Sequence, residues 1–188
     1  MQLPRRGFLL WTAGFAAFLP AAAALASLAR AVTLRELVRA SRRVVVGTAL
    51  DYQCRWESVG RRKRIVTYTR VRIDESLGPA EADAEILVRT LGGQVAGVGQ
   101  VVHGEAVLLI GESAILFVGQ EPDGAESVVE MAQGHYPIRT AKDGVRRVFP
   151  SPRLSDLGSS PDAATTLLIG QRAEDALEIV RKAWRDAR

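Results

Sequence analysis

Residues 44–56 read VVVGTALDYQCRW. Val44, Val46, Thr48, Leu50, Tyr52, Cys54 and Trp56 fall on one face of this stretch. Val45, Gly47, Ala49, Asp51, Gln53 and Arg55 fall on the other. A period of two sustained over thirteen residues is the mark of a strand with one buried face. It exceeds the usual strand length of about 5–6 residues, so the strand is expected to bend or to serve two sheets. On this reading Cys54 is a small core residue beside Tyr52 and Trp56.

The same period continues downstream. Ile65, Thr67, Thr69, Val71 and Ile73 alternate with Val66, Tyr68, Arg70, Arg72 and Asp74, and the charged stretch 58–63 between the two alternations suits a hairpin loop. Further strands are expected at 84–91 and 94–103, joined at Gly92-Gly93, and at 106–110, 114–118, 127–133, 136–140 and 145–149. Lys142-Asp143-Gly144 is the hairpin signal between the last two. Upstream, Thr33 and Glu36 stand in the spacing of a capping box, which predicts a short helix at 34–41. The stretch 150–162 holds three prolines and four serines and reads as a linker, which we extend to 150–171. Ala173, Leu177, Val180 and Trp184 recur at helical spacing, predicting a terminal helix within 172–188. The expected class is therefore mainly β: a small OB-like β-barrel or sandwich at 32–149, with a short N-terminal helix and a C-terminal helix.

Residues 1–31 have a different character. Arg5 and Arg6 precede 23 uncharged residues, 7–29. Small residues then stand in cleavage spacing at Ala29 and Ala31, and also at Ala24 and Ala26. A positive start, an apolar middle and a small-residue end make a secretory signal. Arg5-Arg6-Gly7-Phe8-Leu9 resembles the twin-arginine motif, with Pro4 in place of the usual polar residue and Leu10 in place of the usual lysine. The resemblance implies the twin-arginine translocase and a signal peptidase as partners, the membrane as the route, and a periplasmic or extracellular destination. Residues 7–29 are also long enough to remain as an inner-membrane anchor.

The whole chain of 188 residues carries 25 basic and 21 acidic side chains, a formal charge of +4. The leader holds three of the arginines and no acid, so the remaining 157 residues are nearly balanced, 22 against 21. A global electrostatic case for nucleic acid is lost with the leader. One local cluster remains: Arg61, Arg62, Lys63 and Arg64, with Arg70 and Arg72 beyond. It reads as a solvated hairpin end, or as a patch for an anionic partner with Trp56 and Tyr68 as stacking surfaces.

The catalytic motifs fail on inspection. Gly111-Glu112-Ser113-Ala114 begins like a nucleophile elbow, but Ile115 replaces the second glycine. His103-Gly104-Glu105 lacks the P-C-x-x-C that a zinc deaminase needs, since Cys54 is the single cysteine. His103 and His135 could share a metal with Glu105 or Glu130, although strand-end histidines are ordinarily surface or hydrogen-bonded groups. Gly92, Gly93, Gly97 and Gly99 match no phosphate-loop spacing and suit bulges and tight corners. No catalytic, metal or cofactor residue is assigned.

From Thr33 to Phe149 the order of segments resembles exported bacterial proteins of unknown function, through VVVGTA, RIVTYTRVRIDESL, ILVRTLGG, ILFVG and VVEMAQGHYPIR. The resemblance implies a small β-barrel and carries no site residues. The expected role is a non-enzymatic binding or accessory module of the cell envelope, for a protein, glycan or small ligand. The alternatives are an envelope hydrolase or metal-dependent enzyme, and an N-terminally anchored component of an envelope assembly.

Overall fold

The computed structural model describes residues 30–78, 83–154 and 160–187. Of the export signal, Arg5, Arg6, Phe8, Leu9, Ala24, Ala26 and Ala29 lie outside the described residues, as does the anchor reading of 7–29. Among the described residues no helix is long and apolar enough to cross a membrane.

The chain is mainly strand, with helices near its two ends. Helix α1 (Leu34–Ala40) opens with the capping box that the sequence announced. The Thr33 hydroxyl accepts the Glu36 N–H, and the Glu36 carboxylate accepts the Thr33 N–H at 2.8 Å. Strands β1 (Arg43–Val59) and β2 (Arg62–Ser76) form a long antiparallel hairpin. Its loop is far tighter than the expected 58–63. Ser58 pairs with Lys63 and Val59 with Arg62, leaving a two-residue turn in which Gly60 takes φ +61°.

β3 (Glu85–Leu91) lies antiparallel to β2. β6 (Ser113–Gln120) runs antiparallel to β1 along residues 43–48. The other edge of β6 is divided between β7 (Glu126–Val128) and β8 (His135–Thr140), and β9 (Arg146–Val148) follows β8. β7 is parallel to β3. The pairings thus run β1-β2-β3-β7-β6 and return to β1.

Such a ring has two faces, and residues 43–49 of β1 are buried on both. Val44 and Val46 join Ile115, Phe117, Tyr136 and Ile138 beneath α1, α2 (Ala164–Leu168) and α3 (Ala173–Ala187). Phe117 and Tyr136 meet edge to face, 6.0 Å between centroids. Val45 points the opposite way, into a second cluster with Val71, Ile86, Val88, Leu116, Val118 and Val128. Each such side chain contributes about 1.5–3 kcal/mol through burial.

The thirteen-residue alternation is therefore not one face. Ala49 pairs with Val71, but Asp51 pairs with Arg70, so Leu50 is an extra residue in the ladder. A one-residue insertion inverts the facing of everything beyond it. Before the bulge the inner face holds Val45, Gly47 and Ala49; after it, the same face holds Tyr52, Cys54 and Trp56. Burial corrects the core assignment as well: Tyr52 is 61% and Trp56 42% exposed, and Cys54 is half-buried.

Other boundaries differ. The expected strand 94–103 is a small hairpin, β4 (Gly93–Val95) and β5 (Val98–Gln100), turning at Ala96 and Gly97, both at positive φ. Gly92 and Gly93 are not that turn. A Cβ on Gly93 would stand 2.6 Å from Thr67 Oγ1 and 2.7 Å from Cys54 Sγ, so these glycines let the hairpin fold onto the inner face of β1 and β2. The run 106–110 forms no strand, and 127–133 divides into β7 and a 3-10 turn, Met131–Gly134. The linker reading of 150–171 fails from residue 163 onward, where Ala163, Ala164 and Leu168 are buried under the helices.

Candidate functional site

Beyond residue 49 the hairpin extends past β6 as an arm, with β3 still paired to β2 as far as Val66. Its inner face is lined first by Val71 and Val88, then by Thr69, Thr67 and Thr90. Facing it is the irregular segment 101–110, which exposes Val101, Leu109 and Ile110. A groove of 750 Å³ lies between these walls, with Tyr52, Cys54 and Thr67 on the arm side and Leu108, Leu109 and Ile110 opposite. Among the described residues lining it there is no carboxylate and no imidazole; Arg153 is the single charged side chain.

One side of the groove is an unpaired strand edge. β6 accompanies β1 only to Thr48, and a last pair of bonds joins Ala49 to the loop beyond: its N–H donates to the Glu112 carbonyl, and its own carbonyl accepts from Gly111 N–H at 2.8 Å. From Leu50 to Val59, β1 pairs with β2 alone among the described strands. The outward groups can be assigned. Ile65, opposite Trp56, spends its N–H on Gln100 Oε1 and its carbonyl on Gly92 N–H, both away from β1. Ile65 and Trp56 are thus a non-hydrogen-bonded pair, and the backbone groups of Trp56, Cys54 and Tyr52 face away from β2.

Cys54 is not a core residue. Its sulfur lies 3.3 Å from the Thr67 hydroxyl, which donates to the Gly92 carbonyl at 2.7 Å. Behind the groove lining, the buried Glu105 carboxylate accepts N–H bonds from Leu91 at 3.1 Å and Ala106 at 3.0 Å. Burial pushes this carboxyl above its ordinary range, and the two N–H bonds oppose the rise.

The outer face of the arm is a network of charges. The Arg89 guanidinium, nearly buried, reaches Glu57 Oε1 at 2.8 Å and Asp123 Oδ2 at 2.6 Å, tying the arm to the turn between β6 and β7. Burial works against its charge, but the bonds to Asp123, Tyr68 and Glu57 outweigh that and raise its pKa. Burial likewise works to raise the Glu57 carboxyl, but bonds from Tyr68, Arg55 and Arg89 outweigh it, and its pKa lies below the ordinary range.

The basic cluster divides in two. Arg70 is paired with Asp51 and Glu85, and Arg72 with Asp74. Arg61, Arg62, Lys63 and Arg64 sit at the tip of the arm, where no described acid forms an ion pair with them; Lys63 lies over the Trp56 ring, 5.7 Å from its centroid. Tyr68 is already covered, by the Arg55 guanidinium 4.3 Å from its centroid.

The histidines do not converge. His135 is buried with Nδ1 2.9 Å from the Ser151 hydroxyl, whereas His103 is exposed in the segment after β5. Burial, with Arg139 nearby, lowers the His135 pKa to about 4. Among the described residues no three His, Cys, Asp or Glu side chains are placed to hold a metal ion. Ser113 begins β6 after a turn at Gly111, φ +79°. Of the cleavage residues, Ala31 is described and half-buried. The groove walls at Thr67, Thr69 and Thr90 were missed in the sequence; the signal was the change from valine to threonine along one face of β2 and β3.

The chain matches no family model, no curated protein and no solved structure.

Proposed function

We propose that the chain is an exported envelope protein whose body is a small OB-like barrel, and that it acts as a non-enzymatic binding module for an extended polypeptide segment. The barrel reading is supported by strand pairings that return to β1, with β3 and β7 the parallel pair; an OB barrel is a five-stranded Greek key. The observation that carries the function is the bare edge of β1 beside the groove. A ligand strand laid there would continue the line that β6 and Gly111 abandon at Ala49. Its backbone would bond the outward groups of Tyr52, Cys54 and Trp56, and alternate side chains would enter the groove against Leu109 and Ile110. Walls without carboxylate or imidazole suit binding better than acid–base chemistry.

A displayed library of random peptides, selected on the full chain, tests this. Enriched peptides should lose binding when N-methylated at alternate residues, and in the Trp56→Pro variant, which removes an outward N–H. Enrichment indifferent to N-methylation, or no enrichment, contradicts it. Export is tested separately: Arg5→Lys with Arg6→Lys should leave the chain in the cytoplasm, and unchanged export refutes the twin-arginine reading.

A further inference from the structure

We infer that the tip of the arm docks on an anionic phospholipid surface through Arg61, Arg62, Lys63 and Arg64, with Trp56 seated at the headgroup level. The inference rests on the export reading only in that it brings the chain to a membrane.

Three observations carry it. First, the positive charge of the arm is sorted. Every described arginine on its shaft has an acid: Arg55 with Glu57, Arg70 with Asp51, Arg72 with Asp74, Arg89 with Glu57 and Asp123. The four cations of the tip have none among the described residues. Since no described acid neutralises these charges, their field reaches into solvent, and a cluster of four basic residues is the size that anionic lipid surfaces attract. Second, the tip is amphipathic. Trp56 is 42% exposed directly beneath Lys63, and Val59 is half-buried in the last ladder pair. An indole with an ammonium group above it, at the end of a hairpin whose turn carries further cations, matches the layered polarity of a bilayer interface. Third, the shaft argues against a nucleic-acid strand. A polymer tracking down the outer face would meet the carboxylates of Glu57, Asp51, Asp74 and Glu85, and the Tyr68 ring is occupied by Arg55. The favourable charge is confined to the end of the arm, which fits a surface touched at one point better than a chain followed along a groove.

The experiment places an environment-sensitive fluorophore, acrylodan, on the full chain at Ser58→Cys in a Cys54→Ser background. A probe at the tip reports tip engagement whether or not residues 7–29 hold the chain to the bilayer. With phosphatidylglycerol-containing vesicles the emission should shift to the blue. The shift should grow with the anionic fraction, collapse at high salt, and be absent with phosphatidylcholine alone. It should also be lost when Arg61→Gln, Arg62→Gln and Lys63→Gln are combined. Salt dependence in the otherwise unaltered tip keeps the test decisive if that variant fails to fold. No shift with anionic vesicles, or an equal shift with both lipids, overturns the inference. So does a shift produced by a thymidine oligonucleotide and not by vesicles, which would make the tip a nucleic-acid contact. Failure here leaves peptide selection at the groove and the export test unchanged, so the readings stand or fall separately.

Discussion

The two halves of β1 have the same backbone conformation and opposite fates. Residues 43–49 pair on both edges and are buried on both faces, between the helix-covered cluster and the cluster inside the ring. Residues 51–59 pair on one edge, keep large side chains half-exposed and carry charges on the outer face. Only the extra residue at Leu50 separates them. Hydrophobic patterning reports how apolar a face is, but not whether anything covers it. In the first half the apolar residues are core. In the second, Tyr52 and Trp56 stay exposed and, with Leu109 and Ile110 on the facing segment, form an apolar surface that no described residue covers.

Substitutions should separate the halves by size of effect. Phe117→Ala, beneath the helices, should cost about 3–5 kcal/mol through transfer and cavity terms. Trp56→Ala, on the arm, should cost under about 1 kcal/mol. Equal losses in urea unfolding would place Trp56 in the core and break the comparison.

Acid should act on the buried side. The folded pKa of His135, about 4, lies below its ordinary value of 6.5. The unfolded chain therefore takes up a proton first. Stability is complete above pH 6.5 and falls as the pH drops toward 4, by about 3 kcal/mol from this group. His135→Gln should flatten that slope; a slope unchanged by the substitution would show that other groups govern it.

A smaller effect is expected where the halves are tied together. Arg89→Met strips both Glu57 and Asp123 of their shared partner and should cost about 2 kcal/mol. It should also loosen the arm while leaving residues 43–49 protected from hydrogen exchange. Uniform loss of protection along β1 would mean that arm and ring form one cooperative unit.

Much of this was legible in the residues. The capping box at Thr33 and Glu36 fixed α1, and the alternations fixed β1, β2 and the strandedness of the whole, because those signals are local. The bulge was not legible: an inserted Leu50 looks like any other apolar position until its partner strand is known. Nor was the turn at Ala96-Gly97, because Gly92-Gly93 offers the stronger local signal and is used instead for close approach to Cys54 and Thr67. The pairing of Arg70 and Arg72 with acids, which isolates the four cations of the tip, depends on strand register and is invisible in linear order. The groove itself needed the irregular segment 101–110, whose apolar run suggested a strand.

No described strand covers the β1 edge beyond Ala49. Residue-resolved amide hydrogen exchange on β1 tests it directly. The amides of Val44, Val45 and Val46 should all exchange slowly. On the arm, Gln53 and Arg55 should be protected by β2 while Tyr52, Cys54 and Trp56 exchange fast, in alternation. Tyr52, Cys54 and Trp56 exchanging as slowly as their neighbours would show that the edge is already occupied and closed to a ligand strand.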